Sequence, residues 1–157
     1  MILAVLHARL DSGPHSVLDP RVRATMARLE ALFAADYAIN RSRVRPFAMG
    51  RYKDDRYYSG GAYYFATFGT AEFYYRQACA ARAGALAAAS AAPLIADGDA
   101  ILDAARRYVP DSGALSEQFD QASGTQTSAK NLTWSYAAFL TAWDARQAAL
   151  GAGNTWR

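Results

Sequence analysis

The chain has 157 residues, 52% of them hydrophobic and 13% aromatic, with a net charge of +3 at pH 7. One domain of that length has ample material for a core, which excludes a disordered chain. Seventeen Lys and Arg against 14 acids, without a long basic run, argue against a nucleic-acid partner.

A single cysteine, Cys79, cannot form an internal disulfide and reads as a structural thiol in a helical stretch. His7 and His15 have no acidic or thiol partner at ligand spacing, so neither a metal site nor a cofactor is expected. No segment approaches the roughly 20 continuous apolar residues of a membrane span. Met1–Leu6 is apolar but short, lacks a basic leader and runs into His7 and Arg9. It does not read as a signal peptide, and resembles an element whose beginning lies upstream.

In chain order, Asp19-Pro20 marks a helix start, an N-cap acid before a first-turn proline. Val22, Met26, Leu29 and Phe33 then recur at helical spacing to about Asp36. Residues 38–61 carry Pro46 and a charged, aromatic cluster, and read as a long loop. A second helix is predicted over about 62–83, with aromatics around most of its circumference, as for a helix buried on several sides. The Ala-rich stretch 84–92 either continues it or restarts a helix. A third helix is predicted from about Pro93 to Tyr108, ended by Pro110. Residues 110–128 form a second polar loop. The last helix runs from about Ser128 to Leu150, with Leu132, Tyr136, Phe139, Leu140 and Trp143 facing a core, and Gly151-Ala152-Gly153-Asn154 stopping it. No strand alternation is convincing. The expectation is all-α, with about four long helices.

Loops beyond about 12 residues are uncommon in compact domains, and when ordered they are usually functional. The first reads Gly50-Arg51-Tyr52-Lys53-Asp54-Asp55-Arg56-Tyr57-Tyr58. Planar charged groups bind vicinal hydroxyls bidentately, and aromatic faces stack on the apolar side of a pyranose. On composition alone the loop reads equally as a sugar-gripping surface or as a solvated, salt-bridged segment. The second loop supplies Glu117 and Asp120, with Ser128 and Trp134 just behind it. Glu117 is a candidate general base. Ser128 reads alone as a helix N-cap, and Trp134 as core filler.

Ser116-Glu117-Gln118-Phe119-Asp120, followed by Thr125-Gln126-Thr127-Ser128 and Leu132-Thr133-Trp134-Ser135-Tyr136-Ala137-Ala138, resembles the C-terminal part of glucoamylases, glycoside hydrolase family 15. Gly50-Arg51-Tyr52 with Asp55, Tyr57, Tyr58 and Gly60 resembles their other substrate loop, at the expected distance upstream. The resemblance covers essentially residues 1–157, most weakly in the first 45 and the Ala-rich middle.

It implies part of a six-fold α/α barrel, roughly the last third of a catalytic domain. It implies inverting release of β-glucose from the non-reducing ends of starch-like α-1,4 glucans, in a family often secreted or periplasmic. In this carry-over Glu117 is the base that activates water and Ser128 hydrogen-bonds it. Arg51 and Asp55 grip glucose hydroxyls, while Tyr57, Tyr63 and Trp134 line the pocket. Phe119 stands where the family often has Tyr, Lys53-Asp54 replace Pro and Glu, and Tyr63 replaces a Trp of fungal members. The family's general acid, in a Trp-Glu-Glu type motif, has no match here, since Glu30 and Glu72 sit in helical patterns. The chain is therefore expected to be inactive alone, with the missing N-terminal part of the barrel as a partner. The alternatives are a non-catalytic carbohydrate-binding or structural remnant, and a family 15 relative of glucodextranase- or trehalase-like specificity.

Overall fold

The computed structural model describes residues 2–10, 12–41 and 45–151. Among them run five α-helices: α1 (Ile2–Ala8), α2 (Pro20–Asp36), α3 (Tyr64–Arg82), α4 (Ala91–Arg106) and α5 (Thr133–Leu150). The apolar start is a short helix that buries Ile2, Val5 and Leu6. α2 begins as its sequence dictates. The Asp19 carboxylate accepts the Arg21 amide at 2.9 Å, and Val22, Met26 and Phe33 turn inward.

α3 is the hub. Fourteen of its 19 residues are buried, because α5, α4 and α1 all pack on it. The Ala-rich stretch after it restarts a helix and does not extend α3. Gly84 turns the chain at φ +83°, and the following single turn, Ala88–Ser90, buries nothing. Alanine propensity without a face to bury does not prolong a helix here. α4 buries Gly98, Ile101, Ala104 and Ala105. Gly98 is required by packing, since a Cβ there would meet the Tyr75 ring at 2.5 Å.

α5 corrects the sequence reading. It starts at Thr133 and not at Ser128, and its buried residues are Ser135, Ala138, Ala142 and Ala149. These small residues let α5 lie close against α3. Leu132 and Tyr136 are partly buried, but Phe139, Leu140 and Trp143 are exposed. An apolar residue at helical spacing shows only that some neighbour covers it, and the small-residue face takes α3, the helix α5 packs on most. Gly151 ends α5 in the left-handed region at φ +80°, while Ala152, Gly153 and Asn154 of the predicted stop lie outside the described residues.

Two polar networks cross-link the helices. Tyr75 of α3 and Arg146 of α5 both donate to Asp99 of α4, at 2.7 Å each. Glu30 of α2 accepts from Tyr74 of α3 at 2.6 Å and from Arg45 at 2.9 Å, and Arg45 also reaches Asp97 of α4 at 2.9 Å. No described helix is long and apolar enough to cross a membrane.

Candidate active site

The two long loops are not open. Asn40 is buried, and its amide donates to the Phe33 and Ala48 carbonyls while its oxygen accepts the Phe47 and Ala48 amides, all at 2.8–3.0 Å. That one side chain pins the entry of the first loop, and Phe47, Ala48 and Met49 are buried behind it.

A small antiparallel sheet then joins the loops: β1 (Ala62–Tyr63), β2 (Gln118–Phe119) and β3 (Gln126–Thr127), in that order. No strand was expected from the sequence, because two residues are too few for an alternation to show. Tyr63 pairs with Gln118, and Gln118 with Thr127. Gly61 is needed beside this sheet, since a Cβ there would meet the Phe119 carbonyl oxygen at 2.7 Å. The tip of the β2–β3 hairpin is closed by Asp120, whose carboxylate accepts the Ala122 and Ser123 amides at 2.9 and 2.7 Å.

Glu117 and Ser128 stand one step beyond the paired residues, opposite each other across the hairpin. The regular ladder stops there. The Ala129 carbonyl accepts the Glu117 amide at 2.7 Å, and Ser128 takes a left-handed backbone at φ +67° to allow it. Irregularities of this kind re-aim a side chain at a sheet's end. Here the Ser128 hydroxyl is aimed at the Glu117 carboxylate and donates to its Oε2. Ser128 is thus no helix N-cap.

Arg51 and Asp55 form a bidentate pair, Nε to Oδ2 at 2.7 Å and Nη2 to Oδ1 at 2.9 Å. The Arg51 guanidinium holds the Asp55 carboxyl below the usual carboxylate range, and the Tyr57 amide, at 3.0 Å, adds to this. Arg51 in turn lies over the rings of Tyr63 at 4.8 Å, Tyr57 at 5.2 Å and Tyr52 at 5.3 Å. Tyr63 is fully buried; burial, the largest cause, and the neighbouring carboxylates push its phenol up, against the Arg51 charge. Its hydroxyl donates to Asp55 at 3.4 Å.

One cavity of about 320 Å³ collects these parts. Glu117, Arg51 and Trp134 line it with Met49, Gly50 and Phe65. Trp134 stacks flat on Phe65 with ring centroids 3.8 Å apart, yet is 44% exposed, so it is a wall and not core filler. Ser128 stands behind Glu117, and Asp55 and Tyr63 stand behind Arg51. Tyr57 flanks Arg51 without lining the cavity. Glu117 is the only carboxylate among the lining residues. Glu30 is spent on Arg45 and Tyr74, and Glu72 accepts from Thr141 at 2.9 Å and lines a different cavity.

The sequence reading missed the supports. The Gln126 amide donates to the Ala114 carbonyl at 2.8 Å and to the Tyr64 hydroxyl at 2.9 Å, and its oxygen accepts the Ser116 hydroxyl at 3.0 Å. Tyr64 donates to the Tyr108 carbonyl, and burial pushes its phenol up to about 12. Ser135 of α5 donates to the Ser116 carbonyl at 2.8 Å. Phe65, the stacking partner of Trp134, had read only as part of an apolar helix.

The sequence profile of the glycosyl hydrolases family 15 matches residues 4–144. The chain belongs to that family. This family 15 chain is 33% identical to glucoamylase-1 of Schizophyllum commune over 94% of its own length and 31% of the relative's. It is 33% identical to a Neurospora crassa glucoamylase over 60% of the chain and 20% of that protein. The Hormoconis resinae glucoamylase structure superimposes with a TM-score of 0.85 and 27% identity, covering 98% of this chain and 32% of that one. The Saccharomycopsis fibuligera glucoamylase, at TM-score 0.88 and 21% identity, adds the fold alone. The architecture is part of a six-fold α/α barrel. The chain spans 20–31% of the length of the curated relatives it matches.

Proposed function

We propose that this chain carries the water-activating half of a glucoamylase-type inverting site for the non-reducing ends of α-1,4 glucans. The observation that carries the reading is the Ser128-to-Glu117 hydrogen bond, at the edge of a cavity shared with Arg51 and Trp134. Glu117 takes a proton from water as the water oxygen bonds to the anomeric carbon. The glycosidic C–O bond breaks with inversion, and the leaving oxygen takes a proton from a carboxylic acid. Inverting sites place the two carboxyls roughly 6.5–9.5 Å apart, with the water between them. The acid belongs to the rest of the barrel, as do the walls that complete the pocket. Arg51, braced by Asp55, grips sugar hydroxyls. Trp134 presents its ring to the sugar, Tyr57 flanks Arg51 and Tyr63 backs it, and neither a metal nor a cofactor takes part.

The test is glucose release from maltose and soluble starch. The purified 157-residue chain is expected to release none, because loss of general acid catalysis costs about 10²- to 10⁴-fold and lost positioning adds to it. Joined to the N-terminal part of a family 15 barrel, it is expected to turn over, and Glu117→Gln to abolish turnover. Release by the free chain that vanishes with Glu117→Gln overturns the division of labour.

A second reading is a non-catalytic carbohydrate-binding remnant, favoured by the partly exposed guanidinium of Arg51 among three tyrosines. Calorimetric titration with maltose separates the two. Heat lost with Arg51→Ala, without turnover in the joined protein, selects the remnant.

A further inference from the structure

Two asparagines open an Asn-X-Ser/Thr triplet in which X is not proline: Asn40-Arg41-Ser42 and Asn131-Leu132-Thr133. That triplet is the acceptor of N-linked sugar, and it serves where the asparagine amide reaches solvent. The triplets alone do not choose between the two sites. Their hydrogen bonds do.

Asn40 is buried, and an asparagine amide has only two N–H donors. Both go to carbonyls, of Phe33 at 3.0 Å and Ala48 at 2.8 Å, while the oxygen accepts the Phe47 and Ala48 amides. A sugar on this Nδ2 displaces a donor from a buried set and costs the first loop its anchor.

Asn131 is the opposite case. It is exposed, as is Thr133, and it stands in the turn between β3 and α5 at φ +53°, a backbone that asparagine tolerates better than most residues. The Tyr136 hydroxyl donates to its Oδ1 at 3.0 Å, and that hydroxyl is itself held by the Leu115 amide at 2.9 Å. The oxygen of the amide is thereby fixed on α5, while Nδ2 has no partner among the described residues. N-glycosylation uses Nδ2 and leaves Oδ1 to keep the Tyr136 bond. Asn131 does not line the Glu117 cavity, so a glycan there is attached outside the candidate sugar site.

We propose that Asn131 is an N-glycosylation site and that Asn40 is not one in the folded protein. In the transfer, Asn131 Nδ2 bonds to the anomeric carbon of a polyprenyl-pyrophosphate-linked oligosaccharide. The C–O bond to pyrophosphate breaks, the pyrophosphate leaves with the electron pair, and Nδ2 loses one proton. A secretory host's transferase supplies both catalyst and donor.

The experiment secretes the 157-residue chain from a yeast with an added leader and weighs it before and after endoglycosidase treatment. One glycan is expected. It is expected to vanish with Thr133→Ala, to survive Thr133→Ser and to be unchanged by Ser42→Ala. No glycan, or one that survives Thr133→Ala, overturns the proposal. So does a second glycan on the secreted chain that Ser42→Ala removes. Translation into microsomes reads the Asn131 step whether or not the free chain is secreted. Loss of one gel step with Thr133→Ala supports the site there, and an unchanged pattern overturns it. None of these readouts depends on glucose release, so a failure of the catalytic reading leaves them standing.

Discussion

Ser128 donates its hydroxyl to the Glu117 carboxylate from a left-handed backbone at φ +67°, where the β2–β3 ladder breaks. A non-glycine residue in that region costs roughly 1–2 kcal/mol and persists where the surrounding contacts over-determine it. The bond and the strain make opposite demands on the side chain. Ser128→Ala loses the hydroxyl and keeps the strain, whereas Ser128→Gly loses the hydroxyl and relieves it. Ser128→Gly is therefore expected to be more stable than Ser128→Ala by about 1 kcal/mol. Both are expected to lower turnover in a completed barrel. Urea unfolding of the two variants decides the order, and equal midpoints would mean that the backbone is not strained.

Gln126 holds Glu117 from behind without touching it. Its side chain satisfies the Ala114 carbonyl, the Tyr64 hydroxyl and the Ser116 hydroxyl together. Gln126→Ala takes the partner from the Ala114 carbonyl and the Ser116 hydroxyl, while the Tyr64 hydroxyl keeps the Tyr108 carbonyl, at roughly 2–4 kcal/mol in total, since each orphaned group costs about 1–3 kcal/mol and some regain water. Asp120→Ala, on the exposed hairpin tip, is expected to cost less. Chemical denaturation that ranks Asp120→Ala above Gln126→Ala would contradict the network as the support of the site.

Glu117, Ser128, Arg51, Asp55 and Trp134 could be singled out because they stand in a sequence pattern that resembles a known family, and the structure gathers them about one cavity. The main helices were legible from Asp19-Pro20 and from periodic apolar residues. The β1–β2–β3 sheet was not, since it depends on pairing between Ala62–Tyr63 and residues more than fifty positions away. Nor was the face that α5 buries. Alanines and large apolar residues alternate around that helix, and periodicity cannot say which stripe meets α3. Gln126 gave no signal because its partners, at Tyr64 and Ala114, are set by the tertiary fold.

Acid is expected to loosen the fold through identified carboxylates. Arg21 holds Asp19, Arg51 holds Asp55, and the Ser123 amide holds Asp120, each below the ordinary carboxylate range. Unfolded, these groups return to about 3.9, so the unfolded state binds more protons in acid. Their contribution is complete above about pH 5 and is lost as pH falls through 4 toward the lowered values. The urea midpoint is expected to be flat from about pH 7 to 5 and to drop below 4. Asp55→Asn is expected to flatten that drop, and an unchanged slope would remove Asp55 from the account.

Trp134 is expected to contribute more to ligand binding than to stability. Its ring lies flat on Phe65 at 3.8 Å, but the residue is 44% exposed, so truncation opens a wall and not a core. Stacked aromatic pairs add about 0.5–1.5 kcal/mol, and Trp134→Ala is expected to cost near the top of that range in unfolding. Maltose binding in a completed barrel is expected to weaken tenfold or more. A variant that unfolds readily yet binds maltose normally would make Trp134 structural.

Gln118 lies next to Glu117 in sequence and is wholly buried, and neither end of its amide has a hydrogen-bond partner among the described residues. A buried polar group without a partner costs about 1–3 kcal/mol. Methionine fills a similar volume with no such demand. Gln118→Met is expected to stabilise the free chain by about 1–2 kcal/mol. If helices of the remaining barrel supply partners to the amide, the same substitution loses that gain once the chain is joined to them. Urea unfolding of both forms measures the difference. An equal gain in both would show that the amide stays unpaired in the assembled barrel.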